Sequence, residues 1–146
     1  MRDTTMQTLS YMKAEEEFEA SQENLGGRSV TSEHLLGTWV NTNTASRGII
    51  KVALAASKGE VALKVFGSCD PEPCDWGEVV ANVFASDIHS TEAMAWSASY
   101  DFGFMDTQLQ AHIRQGVLII AKFDRFKDDS GRLNYFSKEF FYRIDT

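Results

Sequence analysis

The stretch Gly-Thr-Trp-Val-Asn, residues 37–41, decides the fold, because a regular succession of short strands begins there. From Gly37 to Thr146, the pattern of strand, turn and strand repeats about eight times. Connections of hairpin length exclude helical crossovers and parallel pairing. The sequence therefore predicts an all-β fold: an eight-stranded antiparallel up-and-down β-barrel, preceded by a short N-terminal helical extension.

Alternation of apolar and polar residues between turn residues sets the limits of the strands. The predicted strands are Gly37–Thr42, Arg47–Ala55, Glu60–Phe66, Glu78–Phe84, Glu92–Tyr100, Met105–Ile113, Val117–Phe126 and Leu133–Ile144. Between the third and fourth, Gly67–Gly77 contains both prolines of the chain and is predicted to be a shaped loop. Cys69 and Cys74 close a turn in this loop. A local disulfide is one interpretation, and reduced thiols are the expectation for a cytosolic protein.

Residues 1–30 are predicted to be the helical extension, and residues 31–146 the barrel domain. Tyr11, Ala14 and Phe18 recur at helical spacing, and glutamates occupy the positions between them. Gly26 and Gly27 mark the end of this helix. The extension is expected either to pack against the barrel or to act as a lid or partner-binding arm.

Composition limits the classes of function. A net charge of −7 argues against nucleic-acid partners, since these require clustered Lys and Arg. The first ten residues lack the apolar core of a signal peptide, and no apolar run is longer than the five residues of Val117–Ala121, which is too short for a membrane-spanning helix. We therefore expect a cytoplasmic protein with no membrane span, and the possibility of a homodimer stays open. No metal site and no cofactor are predicted.

Gly37 and Trp39, on the first strand of an eight-stranded pattern, resemble the Gly-x-Trp signature of lipocalins in the calycin superfamily. Arg143 is similar to the basic residue that packs across that Trp, and Asn41 also resembles the first strand of avidin-type barrels. The resemblance covers about residues 35–145 and implies a barrel with Trp39 and Arg143 stacked at its closed end. The chain departs from secreted lipocalins in lacking their long-range disulfide cysteines, and no activity is carried over.

A barrel of eight strands holds either its own side chains or one small ligand. Small residues predicted to face inward, Ala98, Ala111 and Ala121, favour an open lumen, whereas a core filled by aromatic side chains is the alternative. The predicted function is binding of a small hydrophobic molecule in this cavity. The predicted ligand-binding residues are Trp39, Trp76, Trp96, Tyr100 and Phe123, with Trp76 on the proline-rich loop at the cavity mouth.

The alternative function is a cofactor-independent isomerase or cyclase that uses the same cavity as its active site. Such an enzyme needs an ionisable group inside the barrel. The candidate catalytic residues are Tyr100, Asp101 and Glu139, the two carboxylates facing the lumen only if the strand register slips by one residue.

Overall fold

The structure of the protein, a computed structural model, describes residues 30–144. Eight strands form one closed antiparallel barrel, each pairing with its neighbours along the chain while β8 closes on β1. The strands are β1 Gly37–Asn41, β2 Ile49–Ser57, β3 Glu60–Gly67, β4 Cys74–Ala85, β5 Ala93–Asp101, β6 Met105–Arg114, β7 Val117–Phe126 and β8 Tyr135–Ile144. The predicted all-β up-and-down barrel is confirmed. The predicted helix of the extension lies outside the described residues.

One end of the barrel, here called the Trp39 end, is closed as the Gly-x-Trp resemblance implied. Trp39 is buried, and its indole Nε1 donates a 3.0 Å hydrogen bond to the Leu35 carbonyl. The Arg143 guanidinium lies 4.6 Å from the centre of the Trp39 ring and donates to the His34 carbonyl. Gly37 adopts a φ of 119°, which favours glycine, and the Arg143 side chain packs over it. The predicted stacking of Trp39 and Arg143 is confirmed.

The other end, here called the rim end, carries the loops that follow β1, β3, β5 and β7. The β3–β4 loop is shorter than predicted, because β4 begins at Cys74 instead of Glu78. Gly67 pairs with Cys74, so the ladder resumes as soon as the prolines have passed. Cys69 and Cys74 are joined by a disulfide, which corrects the expectation of reduced thiols.

The middle of the barrel is filled by side chains from all eight strands. The largest buried ones include Trp39, Trp96 and Phe141, surrounded by Leu, Ile and Val. Strands β5 and β6 alternate as predicted: Trp96, Ala98 and Tyr100 point inward, as do Thr107, Leu109 and Ala111. A gap of ≈ 10 Å³ remains between side chains of β2, β7 and β8, about the size that one water needs. This part of the lumen is therefore packed like a protein core.

The inward face of β7 is the opposite of the one predicted. Phe123 is 40% exposed and pairs with Gln108, which belongs to the polar outer face of β6. Directly paired residues share a face of the sheet. Phe123 and Ala121 therefore lie on the outside, and the prediction that they face the lumen is wrong. The inward residues of β7 are Leu118, Ile120, Lys122 and Asp124.

Candidate functional site

A network of polar side chains occupies the inside of the barrel at the rim end. Its centre is Lys122, whose side chain is 9% exposed and forms an ion pair with the fully buried Asp124 carboxylate. Lys122 Nζ also donates to the Tyr135 hydroxyl at 3.1 Å, and Thr107 Oγ1 donates to Asp124 Oδ1 at 2.5 Å. We call these four residues, Thr107, Lys122, Asp124 and Tyr135, the lysine network.

The strand register explains why the four residues meet. Thr107 pairs with Asp124 on β7, and Asp124 pairs with Tyr135 on β8, so the three side chains form one inward row. Lys122 lies on the same face one step farther from the rim. Burial lowers the pKa of Lys122, but hydrogen bonds to Asp124 and Tyr135 outweigh this, and its net shift is upward. Lys122 is therefore a cation at neutral pH.

A second carboxylate stands beside the network. Glu139 on β8 is inward-facing and half-buried, and it accepts a 2.8 Å hydrogen bond from the Ser46 hydroxyl. Ser46 in turn accepts from the Gly48 amide, which fixes the β1–β2 loop over this side of the lumen. Glu139 faces inward without any slip of register, because it pairs with Ile120, an inward residue of β7.

Deeper in the barrel, Trp96 carries a polar atom without a partner. The side chain is 1% exposed, and its indole Nε1 has no hydrogen-bond acceptor among residues 30–144. Trp96 belongs to one row of paired inward residues with Ala111, Ile120 and Glu139. Lys122 belongs to the next inward row toward the rim. A buried N–H group without an acceptor costs about 1–3 kcal/mol, so its presence requires an explanation.

Three aromatic rings close another part of the rim end. The Trp76 ring packs edge-on against Tyr100 and Phe102, with ring centres 5.5 Å and 5.2 Å apart. Tyr100 donates a 2.8 Å hydrogen bond to the Gly77 carbonyl. Burial, together with the nearby charges of Asp75 and Glu78, raises the pKa of Tyr100 to about 12. The Tyr100 hydroxyl is therefore neutral at physiological pH and is held in place as a donor.

The third catalytic candidate lies outside the lumen. Asp101 is an exposed residue at the end of β5 and forms an ion pair with Lys127, whose hydrogen bond lowers the pKa of this carboxyl. Lys127 also binds Asp106, so the three residues make a surface cluster on the rim. The prediction that Asp101 could face the lumen is wrong, because its alternation with Tyr100 sends the two side chains to opposite faces.

The predicted ligand-binding residues therefore divide into three places. Trp76 and Tyr100 meet at the rim end, Trp96 lies in the middle of the barrel, and Trp39 lies at the Trp39 end. Phe123 lies on the outer surface, in contact with Phe136. The sequence reasoning missed Lys122, Asp124, Thr107 and Tyr135. The hairpin at Gln115–Gly116 was the available signal, since pairing Arg114 with Val117 also pairs Gln108 with Phe123 and turns Lys122 inward.

The arrangement sets limits on the chemistry. Within residues 30–144, no group of three or more His, Cys, Asp or Glu side chains is placed to hold a metal ion. The same part of the chain contains no helix long and apolar enough to cross a membrane. The site consists of a buried Lys122–Asp124 ion pair bonded to two hydroxyl groups, a neighbouring carboxylate, and the indole N–H of Trp96, which has no acceptor among residues 30–144.

The chain matches no protein-family model, and neither the curated proteins nor the solved structures give a significant match. The closed eight-stranded antiparallel barrel is consistent with a lipocalin-like architecture, and such a barrel could hold a hydrophobic ligand.

Proposed function

We propose that the protein is a lipocalin-like binding module that holds one small, mainly apolar molecule inside the barrel. An acceptor atom of this molecule receives the hydrogen bond of Trp96 Nε1. The observation that carries the proposal is the buried indole N–H without an acceptor in the described part of the chain. Specific binding pockets are mostly apolar and contain few polar groups that fix the orientation of the ligand.

The lysine network supports the same conclusion on energetic grounds. Replacing a buried ion pair by apolar side chains of similar volume is often neutral or stabilising, so stability alone does not account for Lys122 and Asp124. Departures from the simple pattern of an apolar core tend to occur at functional sites. Here the charged residues Lys122 and Asp124 interrupt the apolar core, and Lys122 belongs to the inward row next to that of Trp96, on the side that faces the rim.

Lys122 also provides a route for the ligand. Its flexible four-carbon stem fills the lumen, while its partners Asp124 and Tyr135 lie in the row nearest the rim. Movement of this stem would enlarge the gap of ≈ 10 Å³ that is lined by Ile49, Lys122 and Glu139.

A matched pair of variants tests the proposal with the apolar anion 8-anilinonaphthalene-1-sulfonate as a fluorescent probe. Trp96→Phe removes the unpaired donor, and Trp39→Phe removes an equally buried indole that already has an acceptor. We expect Trp96→Phe to weaken probe binding by about 10-fold, the equivalent of one hydrogen bond, and Trp39→Phe to leave it unchanged. Equal affinities in the wild type and Trp96→Phe would refute the proposal. Mass spectrometry of molecules carried through purification would identify the natural ligand.

A second function is favoured by one specific observation. Lys122, Asp124 and Tyr135 place an acid, a base and a hydroxyl in one chain of contacts, which runs from the buried Asp124 to the half-exposed Tyr135 at the rim. Such a chain could transfer a proton in a cofactor-independent isomerase or cyclase. In that case Asp124→Asn abolishes conversion of the molecule identified by mass spectrometry but still binds it. No conversion by the wild type would leave binding as the function.

A further inference from the structure

The outer face of β7 and β8 is apolar where a barrel surface is expected to be polar. The run Val117–Ala121 is apolar on both faces of β7, a pattern typical of strands that are covered on both sides. On β8, Phe136, Phe140 and Tyr142 are 57%, 47% and 48% exposed. Strand pairing places them next to Phe123, Ile119 and Val117, respectively. Contiguous exposed patches of this kind mark interaction surfaces.

This face has both a ridge and a trough. The ridge consists of the three half-exposed aromatic side chains of β8, Phe136, Phe140 and Tyr142, with the exposed Lys138 between the first two. The trough crosses the neighbouring strands and has a volume of ≈ 620 Å³. Small residues, Ala95, Ser97 and Ala121, contribute to its lining, together with Phe84 and Phe136. A protruding and a recessed element on one face allow that face to fit a copy of itself.

The charges of the trough suit the same partner. The chain carries 21 acidic residues and a net charge of −7, so most surfaces of two copies repel each other. The residues that line the trough include no carboxylate; their ionisable members are His112 and Lys138. The remaining polar lining is formed by Gln108, Gln110 and Ser97, whose oxygens can accept hydrogen bonds from an incoming Lys138.

We infer that a second copy of this chain covers the face in a twofold-symmetric dimer. Each β8 ridge enters the trough of the partner, and the same patch serves both copies, as in isologous interfaces. The closed barrel has no free strand edge, so the copies must pack face to face. Five half-exposed aromatic side chains lie on this face and offer roughly 500 Å² of apolar surface: Phe84, Phe123, Phe136, Phe140 and Tyr142. With the smaller side chains, this approaches the ~800 Å² per partner of a standard interface.

The test is the oligomeric state of the full chain by sedimentation equilibrium. We expect a dimer, and the double substitution Phe140→Ser/Tyr142→Ser should raise its dissociation constant at least ~100-fold. Leu133→Ser is the control, because Leu133 is 85% exposed but lies on the β7–β8 loop, outside this face. The control should remain a dimer, and circular dichroism should show that both variants are folded.

Several results would overturn the inference. A monomeric wild type at about 100 µM would mean that another part of the chain or another molecule covers the face. A dimer that survives Phe140→Ser/Tyr142→Ser would place the interface elsewhere. The probe titration of Trp96→Phe is independent of this result, because Trp96 points into the lumen and the ridge lies outside. The dimer and the binding function can therefore fail separately.

Discussion

Trp39 and Trp96 offer a comparison in which most energetic terms cancel. Both side chains are almost fully buried, at 2% and 1% exposure, so replacing either with Phe removes the same atoms from a packed core. The two differ in their indole N–H groups and in the Arg143 guanidinium, which lies 4.6 Å from the centre of the Trp39 ring and can also stack on a phenylalanine ring. Trp39 Nε1 donates to the Leu35 carbonyl at 3.0 Å, and Trp96 Nε1 has no acceptor in the described part of the chain.

The size of the difference follows from this contrast. Trp39→Phe leaves the buried Leu35 carbonyl without its indole donor, which costs about 1–3 kcal/mol in addition to the lost ring volume. Trp96→Phe removes an unpaired donor, which returns about 1–3 kcal/mol against the same loss of volume. In the absence of ligand, Trp39→Phe should therefore lower the free energy of unfolding by ~2–6 kcal/mol more than Trp96→Phe.

Urea unfolding followed by circular dichroism measures this difference. The slopes of the two transitions should be equal, so that the shift in midpoint reports stability alone. Purified protein must first be freed of carried-over ligand, because a bound molecule adds to the apparent stability of the wild type. Equal destabilisation by the two substitutions, or a larger loss in Trp96→Phe, would show that Trp96 Nε1 is satisfied in the ligand-free protein and would refute the reasoning.

Three further predictions concern the rim end. Lys122→Met should lower the free energy of unfolding, measured with denaturant, by ~3–5 kcal/mol because it leaves the buried Asp124 carboxylate without its cation. The double variant Lys122→Met/Asp124→Leu should recover most of this loss. Because the pKa of Tyr100 is raised to about 12, its contribution to stability should be complete below pH 10 and lost as the pH rises through about 12; pH-dependent unfolding of Tyr100→Phe should lack this component. Trp76→Ala should weaken probe binding, and unchanged probe fluorescence would remove Trp76 from the site. It should also lower the free energy of unfolding less than Trp39→Ala, for which we expect a loss of ~3–5 kcal/mol, because Trp76 is only partly buried.

The barrel could be predicted from the sequence because its strands are short and its turns are explicit. Clean alternation in β6 fixed which face is polar, and the Gly-x-Trp resemblance correctly placed Arg143 on Trp39. These features depend on local patterns, such as side-chain alternation and hairpin length. Such local patterns can be recognised in the sequence without knowledge of contacts between distant residues.

The candidate site was harder to predict, for two physical reasons. The run Val117–Ala121 is apolar on both sides of β7, so alternation alone could not tell which side faces inward. Choosing the wrong inward face of β7 placed Lys122 and Asp124 on the outside and Phe123 on the inside. In addition, burying a charge is generally unfavourable, so residue type alone predicts that lysine and aspartate lie on the surface. The β7–β8 hairpin brings Lys122, Asp124 and Tyr135 into contact, and the closed barrel buries Lys122 and Asp124.

The start of β4 shows the same limitation in the backbone. Two prolines predict a long loop, and the ladder nevertheless resumes at Cys74, directly after the second one. The disulfide between Cys69 and Cys74 spans the part of the chain that contains both prolines. Spacing alone allowed either oxidised or reduced cysteines, so the sequence left this alternative open.

The most direct test of the central claim is the indole N–H resonance of Trp96 in a proton–nitrogen correlation spectrum of the full chain. Trp96→Phe assigns this signal by its disappearance. On addition of 8-anilinonaphthalene-1-sulfonate or of the molecule found by mass spectrometry, the account predicts a downfield shift of the Trp96 indole proton, because its N–H gains an acceptor, with little change at the Trp39 indole. An unchanged Trp96 resonance under saturating ligand, with shifts confined to residues of the outer face, would contradict the account.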